Sequence, residues 1–227
     1  MSRSHVLRAS AVAAVLNFAF TSSALAGVVA QWNMDNDFGT IMTDSSGNGN
    51  DGTLYNVATS GSGYMFDGTS SKVVVPNSAS LTPGTQDFSY TVQLQTDRIP
   101  PQGTDYDVLR KGTSIKTGGE YKLEIVYNDG IGKAYCVVKD AEGHIATKRG
   151  TTNVADGQLH TITCTKTSTG LTLQVDSLPP LTKAATLTGP ISNSKPLTLG
   201  VKTPSSTGTA GDWFFGTMRS ATVSVGP

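Results

Sequence analysis

The sequence predicts an all-β fold, a two-sheet antiparallel β-sandwich or jelly roll, and three observations carry that expectation. Apolar and polar residues alternate with a period of two in several short segments. Those segments are separated by clusters that accept left-handed turn geometry, such as Asp67-Gly68 and Asn128-Asp129-Gly130. Glu is scarce, at 3 of 227 residues, while Gly, Thr, Val and Ser abound, a poor composition for helices and a good one for strands and turns.

Strands are expected over 28–33, 53–56, 64–66, 72–75, 88–95, 107–111, 121–127, 133–139, 145–149, 159–166, 171–176, 197–202 and 213–225. The turn signal Asn50-Asp51-Gly52 opens the second of these, and Asp67-Gly68 closes the third. In 121–127, Tyr121, Leu123, Ile125 and Tyr127 oppose Lys122, Glu124 and Val126, and Asn128-Asp129-Gly130 turns the chain into 133–139. The turn region 140–143 leads to 145–149, and Thr169-Gly170 separates 159–166 from 171–176, where Leu171, Leu173 and Val175 oppose Thr172, Gln174 and Asp176. In the last strand Trp213 and Phe214 point to opposite faces, so only one can enter a core. About a dozen one-sided strands in about 200 residues call for two packed sheets sharing a core. No helix of ten or more residues and no internal repeat is legible, and Pro100-Pro101-Gln102-Gly103 and 204–208 read as surface loops.

Residues 1–26 read as a secretory signal peptide cleaved after Ala26. Arg3 and Arg8 form a basic start, 9–20 is a short apolar run, and Ala24-Leu25-Ala26 offers the small residues that cleavage needs. The run is shorter than the roughly 20 apolar residues of a membrane span. The expected mature domain, 27–227, is therefore secreted and extracellular. It carries 15 basic against 17 acidic residues, a formal −2. That balance gives no field to recruit nucleic acid, and no later segment is apolar enough to enter a membrane.

Export guides the reading of Cys136 and Cys164. An even count in an oxidising compartment favours a disulfide. Cys136 shares a strand face with Ala134 and Val138, and Cys164 shares one with Ile162, so both point toward an apolar face. A bridge between them would stabilise by about 3 to 4 kcal/mol in the chain-entropy model. Two buried free thiols are the alternative. Neither cysteine has a second Cys or His at metal-ligand spacing.

Several segments, in order, resemble a known family. They are Trp32-Asn33-Met34-Asp35, Asp44-Ser45-Ser46-Gly47-Asn48-Gly49-Asn50-Asp51-Gly52-Thr53, Tyr64-Met65-Phe66-Asp67-Gly68, Phe88-Ser89-Tyr90-Thr91-Val92, Asp156-Gly157-Gln158-Leu159-His160, Leu173-Gln174-Val175-Asp176 and Phe214-Phe215-Gly216-Thr217-Met218. Together they are similar to laminin G-like domains of the concanavalin A-like lectin/glucanase superfamily, in its small secreted bacterial form. The resemblance implies a concanavalin A-like jelly roll across the whole mature chain, with glycan or protein binding as its usual work. Leu159 stands where the family writes Trp, and Arg219-Ser220 stand where it writes an Asp-Glu pair, so ligand duties assigned to those acids are not carried over.

The sharpest polar cluster is 44–52. Hard cations take several oxygen ligands, and Asp44, Asn48, Asn50 and Asp51, completed by Asp35 or Asp37, offer them to one structural Ca2+. The competing reading is an Asx-rich turn whose side chains cap their own backbone.

Catalysis has less support. The glucanases that the fold resembles carry Glu-x-Asp-x-Glu, whereas Glu120-Tyr121-Lys122-Leu123-Glu124 has Lys in the centre. Its two Glu would lie about 13 to 14 Å apart along a strand, too far for a retaining or inverting pair. Gln158-Leu159-His160 resembles part of a jelly-roll lyase strand, but its companion strands are missing, and His160 sits on the apolar face of Ile162 and Cys164 as a structural histidine would. His144 reads as a solvated loop residue. Sugar binding asks for an exposed ring beside polar forks, and Trp213 with Asp212, Tyr106 and Tyr55 are the candidates, while Trp32 and Phe214 read as core. The expected function is non-catalytic, lectin-like carbohydrate binding with a polysaccharide or other glycan partner. A polysaccharide lyase and an extracellular protein-interaction module are the alternatives.

Overall fold

The period-two patterning folds into two sheets. The computed structural model describes residues 26–35, 39–113, 118–202 and 211–226, and the expected signal peptide falls outside them except for Ala26. The strands, in chain order, are β1 (Gly27–Trp32), β2 (Ile41–Met42), β3 (Gly52–Tyr55), β4 (Ala58–Thr59), β5 (Tyr64–Asp67), β6 (Lys72–Val75), β7 (Phe88–Gln95), β8 (Asp105–Gly112), β9 (Glu120–Asn128), β10 (Ile131–Lys139), β11 (Ile145–Asn153), β12 (Leu159–Thr167), β13 (Gly170–Val175), β14 (Leu181–Ala184), β15 (Leu197–Leu199) and β16 (Phe215–Val225). Every expected strand is present. The three that patterning missed, β2, β4 and β14, span only two to four residues, too short for alternation to register. The strand expected over 197–202 ends at Leu199, and the one expected from 213 begins at Phe215.

One sheet runs β14-β13-β12-β7-β16-β5-β4, with β1 also paired to β16. The length of β16 permits this: one edge follows β7, while the other pairs with β5 through Phe215–Met218 and with β1 through Ala221–Val225. The second sheet runs β11-β10-β9-β8-β15-β6-β3-β2, and among the described residues the ladders of both sheets are antiparallel. The turn between β9 and β10 holds Asp129 at φ 55° and Gly130 at φ 84°, the two left-handed residues of a tight hairpin. Gly52, expected in a turn, instead begins β3. A Cβ there would lie 2.7 Å from Val73 Cγ1, so its role is close packing.

Trp32, Tyr64, Tyr90, Tyr121 and Phe214 are the largest apolar side chains of the shared core. The Tyr90 hydroxyl of β7 donates across the sandwich to the carbonyls of Lys122 and Val137 in the opposite sheet, at 3.0 and 3.2 Å. Cys136 of β10 and Cys164 of β12 are disulfide-bonded, with Cα atoms 5.9 Å apart. Their strands belong to different sheets, so the bridge crosses the core and ties the two layers together.

Candidate functional site

A cleft of about 770 Å3 opens at one rim of the sandwich. Three chain segments form it: the loop after β6 (Asn77, Ala79, Thr82), the facing ends of β8 and β9 (Thr113, Gly119), and the loop before β15 (Ser192, Asn193, Ser194, Lys195). Glycines let these segments approach. Gly112, Gly118 and Gly119 have φ of 96°, 99° and 74°, and a Cβ on Gly112 would lie 2.8 Å from the Asn193 amide nitrogen. Ser192 N–H donates to Gly118 O at 2.8 Å, and the Asn193 amide donates to Gly119 O at 3.1 Å.

Lys111 lies beneath this cleft, fully buried. Its ammonium donates to Asn77 Oδ1 at 2.7 Å, Lys195 O at 2.7 Å, Asn193 O at 3.2 Å and Asn193 Oδ1 at 3.4 Å. All four acceptors are formally neutral, and burial pushes the ammonium down to about 8.

A second polar assembly occupies the outer face of the sheet containing β8 and β9. Asp107, Arg110, Glu120 and Glu124 are all at least 97% buried there. Arg110 donates to both Asp107 oxygens at 3.1 and 2.9 Å and to Glu120 Oε2 at 2.9 Å, and Lys122 pairs with Glu124. Asp105 and Asp212 adjoin, with carboxylate oxygens within 4.8 Å of one another and of Asp107, and Asp212 pairs with Lys202 at 2.8 Å. These five carboxylates meet three cations. Burial pushes Asp107 up to about 6 and Glu124 up to about 7, against the pull of Arg110 and Lys122. Burial and the neighbouring Asp212 also raise Asp105. The acids at the two ends of the Glu120 to Glu124 segment are thus engaged by cations and closed to solvent.

The loop expected to hold calcium is arranged around Asp44. Oδ1 accepts N–H donors from Gln31 and Ser46, and Oδ2 accepts the Asn50 N–H and the Ser46 hydroxyl, all at 2.8 to 2.9 Å. Burial acts to raise its pKa, and these donors outweigh burial and hold the carboxylate below its ordinary value. Asn50 accepts the Trp32 indole N–H on its carbonyl at 2.7 Å and donates its amide to Val29 O at 2.7 Å. Asp51 Oδ1 accepts Asp44 N–H at 2.7 Å, and Asn48 turns to the Ser46 hydroxyl. Asp35 lines a small hollow with Thr43, Ser45 and Tyr64, and Asp37 lies outside the described residues. The Asp44 oxygens face N–H and O–H donors, so this carboxylate caps the turn and staples β1.

The ring candidates separate. Tyr106 is only 7% exposed, its edge against Phe214 at 6.2 Å, so the expectation of an exposed stacking ring there is corrected: it belongs to the core. Phe214 takes the core position and leaves Trp213 half-buried on the other face. Asp212, beside it, has φ 54° and its carbonyl accepts Asp107 N–H at 2.8 Å. Tyr55 is exposed, with the Lys72 ammonium 5.3 Å from its ring centre. None of the four lines the large cleft.

His160 is buried, as its strand face implied. Nδ1 meets Asp176 Oδ2 at 2.8 Å and Nε2 meets Asp156 Oδ1 at 3.1 Å. Burial disfavours the charged ring, and the two carboxylates outweigh it, raising the pKa above its usual value. His144, expected as a plain loop residue, bonds Asp140 Oδ2 at 2.8 Å while Asp140 also caps the N–H groups of Glu142, His144 and Gly189.

The family profile described as the concanavalin A-like lectin/glucanases superfamily, of laminin G type, matches residues 67–224. The chain belongs to this superfamily. No curated protein matches the sequence of this superfamily member. Among solved structures it is similar to the binding domain of Paraclostridial Mosquitocidal Protein 1, with 14% identity over 88% of this chain and 48% of that one, at a TM-score of 0.62. A structure of botulinum neurotoxin type C, whose cell entry is described as dependent on two ganglioside molecules, matches at 13% identity, 87% and 47% coverage and a TM-score of 0.64. Domain 4 of AbnA, an extracellular arabinanase of Geobacillus stearothermophilus in complex with arabinotriose, matches at 15% identity, 88% and 93% coverage and a TM-score of 0.57. The chain spans about half the length of the toxin chains and nearly the whole of the arabinanase domain. At these identities the likeness is one of fold.

Within this concanavalin A-like domain, the cleft and the ionic face are what residue-level reading missed. The cleft's walls come from residues as far apart as Asn77 and Lys195. The one local signal was Lys111, a lysine on the apolar phase of β8.

Proposed function

We propose that this chain is a secreted, non-catalytic carbohydrate-binding module. The observation that carries the reading is the rim cleft of about 770 Å3, lined by the amides of Asn77 and Asn193 and the hydroxyls of Thr82, Thr113, Ser192 and Ser194. Paired amide and hydroxyl groups are what sugar hydroxyls need from a protein. Among the described residues no carboxylate, histidine or cysteine lines it, which favours binding over bond cleavage. The lyase alternative is weakened because both ring nitrogens of His160 already meet carboxylates. Arabinotriose in the arabinanase domain and gangliosides in the toxin work add support from the same fold. A disulfide across the core agrees with an oxidising compartment.

Two measurements test the reading. Calorimetric titration of the purified chain against neutral and acidic oligosaccharides should show saturable binding, and silence across the panel from a folded sample would sink it. N-terminal sequencing of protein from the culture medium should begin at Gly27, and retention of the intact chain in the cells would remove the secretory part.

A further inference from the structure

The rim cleft has an excess of donors and of positive charge. Lys111 brings one ammonium whose only acceptors are neutral oxygens of Asn77, Asn193 and Lys195. Lys195 brings a second, half-buried on the wall, and among the described residues neither lysine has a carboxylate partner. Lys111 occupies Asn77 Oδ1, and Asn77 is exposed on the lining with its NH2 bonded to no acceptor among the described residues. Thr113 is 7% exposed, and its hydroxyl is buried on the cleft lining without a hydrogen-bond partner among the described residues. A buried hydroxyl left unpaired costs about 1 to 3 kcal/mol, a cost that a ligand acceptor would remove. No Asp or Glu stands among the described lining residues to answer these donors.

We propose that this cleft selects acidic glycans, seating a sugar that bears a carboxylate or a sulfate ester between Lys195, Asn77 and Thr113 above the buried Lys111. The assignment rests on the carbohydrate-binding reading and narrows it to a ligand class. An anionic group supplies the missing acceptors and counter-charge together, and charge-assisted hydrogen bonds are the stronger kind. The volume falls within the roughly 300 to 1,000 Å3 of small-molecule sites. The Lys111 contacts preorganise the walls, since one ammonium joins the loop after β6 to the loop before β15.

The test is calorimetry with the purified chain against three probes: an oligogalacturonate for the carboxylate, a sulfated galactan oligosaccharide for the sulfate ester, and neutral arabino- and xylo-oligosaccharides. At least one anionic probe should bind about tenfold or more tighter than the neutral ones, and the stronger of the two names the anion. Lys195→Gln should weaken that probe about tenfold without moving the melting temperature. Thr113→Val should weaken it too while leaving the melting temperature unchanged or higher, a split that a purely structural hydroxyl would not give. Equal affinity for neutral and anionic probes overturns the acidic preference and leaves the carbohydrate reading standing. Tight anion binding unchanged in both variants overturns the assignment to this cleft. No binding to any probe overturns both readings.

Discussion

Strands β7 and β8 have eight residues each, lie inside their sheets and have opposite burial. In β7 every second residue is buried, with Phe88, Tyr90, Val92 and Leu94 in the core and Ser89, Thr91, Gln93 and Gln95 facing out. Its outer side chains pair with those of β12, as Thr91 does with Thr163 at 2.9 Å and Gln93 with Thr161 at 3.2 Å. In β8 all residues from Tyr106 to Gly112 are buried. Its outer face carries Asp107 and Arg110 within the ionic network, and a register shift between Asp107 and Leu109 places the strand's sides unevenly. The contrast teaches that polarity in a strand says which face a residue takes and leaves open whether that face is wet.

Removing the network's central cation should give the largest effect. Arg110→Met leaves Asp107 and Glu120 buried without their cation, while Glu124 keeps Lys122, and a broken buried pair costs about 3 to 5 kcal/mol. Urea unfolding should show that loss, whereas Thr91→Val on the outer face of β7 should stay within about 0.5 kcal/mol. Comparable values would erase the distinction between the faces.

The next effect concerns the tie between the sheets. Replacing both Cys136 and Cys164 by Ser should lower stability by about 3 to 4 kcal/mol, read as a fall in the urea midpoint. Reduction of the native protein should produce a similar loss, and a midpoint indifferent to reductant would contradict it.

Sharper still is the pH dependence. Asp107 near 6 and Glu124 near 7 in the folded protein lie above ordinary unfolded carboxylates. Between about pH 4 and 7 the native state therefore binds more protons than the unfolded one, and their contribution, present at low pH, is lost as pH rises through the folded pKa values. Asp107→Asn should flatten that decline in denaturation curves collected from pH 4 to 7. An unchanged slope would mean that Asp107 is already ionised throughout.

The smallest effect belongs to His160 at the rim of the other sheet. Its raised pKa makes its contribution full below about pH 6.5 and diminishing as pH rises through the folded value. His160→Asn should cost about 1 to 2 kcal/mol at pH 6 and less at pH 8. Equal losses at both would show that packing, rather than the two carboxylates, fixes the ring.

Much of the architecture was legible from alternation and turn residues. The strand cores, the burial of Trp32 and the facing cysteines follow from local periodicity, because a side chain's face depends only on its position parity. The Asp44 loop shows where such reading stops. Its residue types suit a calcium site or a turn, and no local pattern shows that Gln31 and Asn50 deliver N–H groups to the same carboxylate. Tyr106 was misplaced for a related reason: its ring packs against Phe214, which is distant in the sequence and precedes β16.

By itself the sequence determined the all-β class, the strand faces and the family, since these rest on short-range patterns. Tertiary structure alone decided that the bridge joins two sheets, that the β8 and β9 charges are buried, and that Asn77, Thr113 and Lys195 share one cleft. These depend on which loops meet at a rim and which strands face one another, and no local periodicity records that.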